Sequence, residues 1–141
     1  MQLTKYTDLS LRVMMHLALE PEKLGTIKDI SERYRVSRNH LVKVVHKLAT
    51  LGYIESVKGR GGGIRLAMPA NEINVGEVVR LTENTLVLID CEGSGCPLTP
   101  SCLLKRALDD ATHAFLKTLD QYAIADLVRN RTQLIRLISQ A

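Results

Sequence analysis

The chain has 141 residues, 45% of them hydrophobic and 24% charged, which is enough for one core or two small ones. Its strongly apolar runs, such as Val13 to Leu19 with His16 inside, fall far short of the ~20 residues that span a bilayer, and its start, Met1-Gln2-Leu3-Thr4-Lys5, is polar, so the cytoplasm is the expected compartment. The net charge of +4 is unevenly spread: residues 1–70 carry 12 Lys/Arg against 6 Asp/Glu, and residues 71–141 carry 7 against 9. Between Arg33 and Arg65 there are eight basic residues and a single acid, Glu55. That is the electrostatic footprint of a surface that meets phosphates, with a generic solvated basic face as the plain alternative.

Leu3 to Leu19 is apolar at most positions and free of Gly and Pro, which predicts a helix buried on more than one side. Asp8 and Arg12 are four apart on it and read as an ordinary ion pair. After the break at Glu20 to Gly25, Thr26 caps a second, short helix with Asp29 at its third position and Ile27, Ile30 and Tyr34 as its buried stripe. Ser37 is the expected N-cap of a third, with Val36 and Leu41 as a hydrophobic staple and Leu41, Val44, Val45, Leu48 and Leu51 on its apolar face. Two short helices joined by a tight turn, the second polar and basic at its start, are the pattern of a helix-turn-helix. Ser37, Arg38 and Asn39 at the start of that helix are placed to meet DNA, with Arg and Asn suited to guanine and adenine edges. Lys43 and Lys47 suit phosphates, and His40 is a weaker candidate beside them.

Gly52 ends the third helix, and Tyr53–Val57 and Ile64–Ala67 read as two strands around the tip Lys58-Gly59-Arg60-Gly61-Gly62-Gly63. The tip lacks the Gly-Lys-Ser/Thr ending of a nucleotide-binding loop, so a DNA-binding wing is the better reading. Gly61 and Gly62 allow close approach to a groove, while Arg60 and Arg65 supply charge. Asn74 with Glu77 begins a further helix, Leu86 to Ile89 is a short apolar extended segment, and a long amphipathic helix is expected from Pro100 through Tyr122. Its apolar residues Leu104, Ala107, Leu108, Ala111, Phe115 and Leu119 make a stripe wide enough for a dimer interface, and Ile124 to Val128 and Leu134 to Ile138 add apolar faces.

All three cysteines, Cys91, Cys96 and Cys102, lie within the stretch Asp90 to Cys102. Gly, Ser and Pro around the first two let the backbone wrap a bound object. With Thr99 as N-cap and Pro100 as first helical residue, Cys102 is expected in the first turn, where the helix dipole favours a thiolate. An iron-sulfur cluster is the preferred reading, ahead of zinc, redox thiols and plain core cysteines. Zinc sites usually contain a tight Cys-x2-4-Cys chelate, and the nearest downstream histidine is His113. A disulfide framework would want an even number of cysteines. Three cysteines leave one ligand of a cluster unassigned. No Ser/His/Asp, paired-acid or phosphate-binding constellation supports an enzyme, and an iron-sulfur electron carrier would want a fourth cysteine and have no use for the basic stretch.

Val36-Ser37-Arg38-Asn39-His40-Leu41-Val42-Lys43, the wing Gly59-Arg60-Gly61-Gly62-Gly63-Ile64-Arg65-Leu66, the run Cys96-Pro97-Leu98-Thr99-Pro100-Ser101-Cys102 and Ala125-Asp126-Leu127-Val128 together resemble the bacterial iron-sulfur winged-helix regulators, and within them the nitric-oxide-sensing repressors. The resemblance implies a mainly α fold with a small β wing and a long dimerisation helix. It also implies a homodimer that represses promoters with an intact cluster and releases them when nitric oxide attacks the iron. The cluster expected is [4Fe-4S] in preference to [2Fe-2S], and a [2Fe-2S] regulator sensing redox state or cluster supply is the nearer alternative. Some members place a histidine three residues after the last cysteine, where this chain has Lys105, a poor ligand. Others are thought to use a carboxylate near the amino terminus, which points to Asp8 from the partner subunit. The expected division is residues 1–80 as the winged helix and 81–141 as cluster loop and dimerisation helices. A dimer of this build calls for a palindromic operator in double-stranded DNA, its half-sites ~34 to 36 Å apart.

Overall fold

The computed structural model describes residues 1–141. Its elements run α1 (Lys5–Leu19), α2 (Ile27–Tyr34), α3 (Arg38–Thr50), β1 (Ile54–Val57), β2 (Gly63–Leu66), α4 (Val75–Thr82), α5 (Leu103–Leu119) and α6 (Arg131–Ser139), with 3-10 turns at Ala70–Glu72, Thr99–Ser101 and Ile124–Val128. This is the mainly α architecture with a two-stranded wing that the sequence predicts.

The helix starts follow from their caps. The Thr4 hydroxyl accepts the Thr7 N–H at 3.3 Å, so α1 begins at Lys5, later than the apolar pattern from Leu3 suggested. Thr26 accepts the Asp29 N–H at 3.1 Å at the head of α2, and Asn74 accepts the Glu77 N–H at 2.9 Å at the head of α4. Ser37 stands at the N-cap of α3 but makes no side-chain cap bond, which leaves its hydroxyl exposed and uncommitted. Between α2 and α3 the backbone turns through Arg35 at φ 53°, and the Val36 N–H reaches the Ser31 carbonyl at 3.1 Å while the Ser31 hydroxyl donates to the Val36 carbonyl at 2.6 Å. These bonds fix the tight turn of the helix-turn-helix.

Leu9, Val13, Met14 and Leu17 of α1 pack with Ile30 of α2 and Leu41, Val44, Val45 and Leu48 of α3 in one core, closed by Tyr53, Ile54 and Ile64 from the wing. The wing strands are antiparallel, Ile54 opposite Leu66 and Val57 opposite Gly63. Gly25 exchanges two backbone bonds of 2.9 and 2.8 Å with Ile64, so the wing is rooted on the loop between α1 and α2.

After α5 the chain returns to this core. The Ile124 N–H donates to the Ile73 carbonyl and the Val75 N–H to the Tyr122 carbonyl, both at 2.9 Å, and Ile124 is fully buried beside Ile73, Val75 and Val78. Residues on both sides of the boundary expected at 80 therefore share one core. Arg80 clasps Asp120 through two bonds of 2.6 and 2.7 Å, and α6 lies against α2. Leu86 to Ile89 forms no strand and is largely exposed. No helix is long and apolar enough to cross a membrane.

Candidate DNA interface and cysteine loop

The polar face of α3 presents Ser37, Arg38, Asn39, His40, Lys43 and Lys47 to solvent, and the hairpin tip presents Lys58, Arg60 and Gly61. Gly62 is half-buried because the tip folds tightly: a Cβ there would come within 2.2 Å of the Val57 carbonyl oxygen. Gly59 and Gly61 have φ of 99° and 74°, a region that disfavours other residues, so the glycines are needed by the turn itself. The predicted basic residues divide into two sets. Arg65 is held by Glu55, its direct cross-strand neighbour, at 2.6 Å, and Arg38 lies 3.4 Å from Glu32. Lys43, Lys47, Lys58 and Arg60 have no acid within salt-bridge reach and keep their charge available.

The cysteine loop is a run of turns. The Asp90 carboxylate accepts the Gly93 N–H at 2.7 Å, the Cys96 N–H reaches the Cys91 carbonyl at 3.3 Å, and Gly95 takes φ 63°. Thr99 donates its hydroxyl to the Cys96 carbonyl at 2.8 Å. Thr99–Ser101 is a separate 3-10 turn, so the long helix starts at Leu103 and not at Pro100. Cys102 is accordingly the N-cap, with extended backbone (φ −78°, ψ 112°), and its Sγ accepts the Lys105 N–H at 3.4 Å. A thiolate at that position is a better acceptor than a thiol.

All three cysteines are free and half-buried. Three soft sulfur donors in one loop fit thiolate ligation of iron or another thiophilic metal in kind and number. Within one chain, however, no three His, Cys, Asp or Glu side chains converge closely enough to hold a metal ion, so neither Asp8 nor His113 completes a closed set here. Asp8 is engaged with Arg12 at 2.8 Å, both about half exposed. Lys105 pairs with Asp109 at 2.9 Å, a bond that raises its pKa and keeps the amine protonated, without a lone pair for a metal.

One link between the loop and the helix-turn-helix was not legible in the sequence. Glu83, just past α4, accepts the Thr4 N–H at 2.7 Å and the Thr4 hydroxyl at 2.9 Å, tying the start of α1 to the segment that leads to Cys91. Partial burial works to raise its pKa, but hydrogen bonds from Thr7 and Thr4 outweigh it and hold the carboxyl below its ordinary value.

A buried three-helix head, a tight turn, a basic recognition helix and a glycine-tipped wing define a winged helix-turn-helix transcriptional regulator. The chain belongs to the Rrf2 family, described as iron-dependent transcriptional regulators, whose model matches residues 3–130. It is 51% identical to the HTH-type transcriptional regulator NsrR of Shouchella clausii, over 98% of this chain and 95% of that one, and 47% identical to NsrR of Bacillus subtilis, over 98% and 97%. Among solved structures, oxidized CymR of Staphylococcus aureus matches with a TM-score of 0.75 at 28% identity, over 92% of this chain and 97% of the other. IscR of T. potens shares the fold, with a TM-score of 0.76 at 23% identity over 92% and 88%. This chain is thus a DNA-binding transcriptional regulator and not an enzyme.

Proposed function

We propose that the protein is a cytoplasmic homodimeric repressor that binds a two-fold operator while an iron-sulfur cluster, [4Fe-4S] in kind, is intact and lets go when nitric oxide reaches it. The observation that carries this reading is the set of three free cysteines on one loop at the head of α5, in a chain about half identical to NsrR regulators along nearly its whole length. Cys91, Cys96 and Cys102 would hold the cluster and Asp8 of the partner subunit would supply the fourth ligand. The bound cluster would supply iron open to attack by a small diatomic, most readily at the iron with a hard oxygen ligand.

The protein's own residues couple that event to DNA. Asp8 sits in the first turn of α1, and α1 packs directly on α3. Losing the partner's loop as a contact of Asp8 returns the carboxylate to Arg12 alone and frees α1 to shift against the recognition helix. Arg38 and Asn39 would read base edges, while Lys47, Arg60 and Arg65 would hold the backbone, Arg65 only after sharing its charge with Glu55.

Native mass spectrometry of anaerobically purified protein tests the ligand set. The expected species is a dimer with four irons and four sulfides per subunit. Cys96→Ser should abolish the cluster, and Asp8→Ala should leave a dimer whose cluster is lost faster in air. Zinc in place of iron, or an Asp8→Ala cluster as durable as the wild type, would contradict the assignment.

A further inference from the structure

A concave site of about 240 Å³ opens between the first turn of α1 and the start of α3, lined by Lys5, Tyr6, Leu9, His40, Lys43 and Val44. Leu9 and Val44 form a buried apolar floor, and Lys5, His40 and Lys43 stand exposed at the rim. Neither Lys5 nor Lys43 has a carboxylate within salt-bridge reach, whereas Arg12, Arg33, Arg38 and Arg65 each do. The two sides of the site are held in place: α1 packs on α3, and the Tyr6 hydroxyl donates to the Lys43 carbonyl at 3.4 Å. Two ammonium groups without a carboxylate partner and an imidazole, drawn from two helices onto the rim of one concavity, are suited to an oxyanion. Because His40 and Lys43 belong to the helix that enters the groove, the oxyanion within reach is a backbone phosphate.

We propose that Lys5, His40 and Lys43 clamp a phosphate of the operator backbone, making the start of α1 a third DNA-contacting segment beside α3 and the wing. This rests on the reading of the chain as a DNA binder and adds a residue, Lys5, outside the helix-turn-helix. It also assigns His40 to the backbone and not to a base edge. Such a clamp contributes affinity without sequence information.

The test is fluorescence anisotropy of the anaerobically purified full chain with two labelled duplexes, one selected by the wild type from a random library and one scrambled, over a range of KCl concentrations. Each phosphate neutralised contributes about 0.9 to the slope of log Kobs against log salt. Lys5→Ala combined with Lys43→Ala should flatten the slope by about 0.9 per bound subunit; Lys5→Ala alone should flatten it by part of that and weaken both duplexes by the same factor, with Lys5→Arg restoring the slope. An unchanged slope in Lys5→Ala, while Arg60→Ala lowers it, overturns the clamp and leaves the DNA-binding reading intact. A changed ratio between the two duplexes makes Lys5 a base reader and also overturns it. Absence of salt-dependent binding by the wild type overturns the DNA-binding reading and the clamp together.

Discussion

His16 lies inside the junction of α1 and α2 with its Nδ1 lacking any hydrogen-bond partner, its Nε2 3.6 Å from Asp29 and its ring edge-on to Tyr34. Burial pushes its pKa below the ordinary value of 6.5, against the opposing pull of Asp29. An unfolded chain therefore binds the proton more readily than the folded one. The neutral imidazole's contribution to stability is present above about pH 6.5 and is lost as pH falls through the lower folded value. Urea unfolding at pH 7.5 and 5.5 should give a larger drop in midpoint for the wild type than for His16→Gln, and equal drops would show that the ring is solvated. At this scale the sequence discloses identity better than partnership. Glu55 and Arg65 are ten residues apart, and only the strand register makes them face each other. The capture of Thr4 by Glu83 joins residues 79 apart, a pairing no local pattern announces.

Elements were legible where the signal is local. The caps Thr26 and Asn74 and the apolar stripes of α2 and α3 are written in adjacent residues, and they stand where expected. The start of α5 was not legible, because Pro100 satisfies the rule for a first helical residue in a 3-10 turn as well as in an α-helix, and the Cys102 sulfur then takes the cap. The apolar run Leu86 to Ile89 has strand-like composition but no neighbouring strand to pair with. The wing carries a prediction of its own. At Gly62 an added Cβ meets backbone oxygens of Val57 and Gly59, at 2.2 and 2.9 Å, so the tip cannot keep its shape. Gly62→Ala should lower operator affinity by roughly 10-fold or more, which corresponds to at least ~1.4 kcal/mol, while iron content and unfolding midpoint change little. Equal affinity of Gly62→Ala and wild type in an anisotropy titration would remove the wing from the interface.

At the scale of the whole molecule, the long helix is the least satisfied part of a single chain. Only Leu116 of α5 is buried, while Leu103 and Leu104 are 78% and 61% exposed, and a groove of about 570 Å³ lined by Met1, Leu3, Leu86, Val87, Leu88, Ala111 and Phe115 runs beside it. That apolar stripe is what the sequence pattern ascribed to a dimer, and the fourth donor proposed for the cysteine loop, the partner's Asp8, depends on the same pairing. On the proposed reading, neither the pairing of chains nor the completed ligand set can be written in one sequence, because both would belong to two copies at once. The central claim is that an intact cluster on the cysteine loop holds the protein on DNA. It is tested most directly by titrating the anaerobic dimer, already bound to its labelled operator duplex, with nitric oxide while absorbance and anisotropy are recorded together. The account predicts that cluster absorbance and DNA binding fall in step, and that Lys105→Ala, which removes an ammonium paired with Asp109 and keeps the backbone N–H bonded to Cys102 Sγ, behaves as the wild type. Loss of the cluster with the protein still bound to its operator would contradict it.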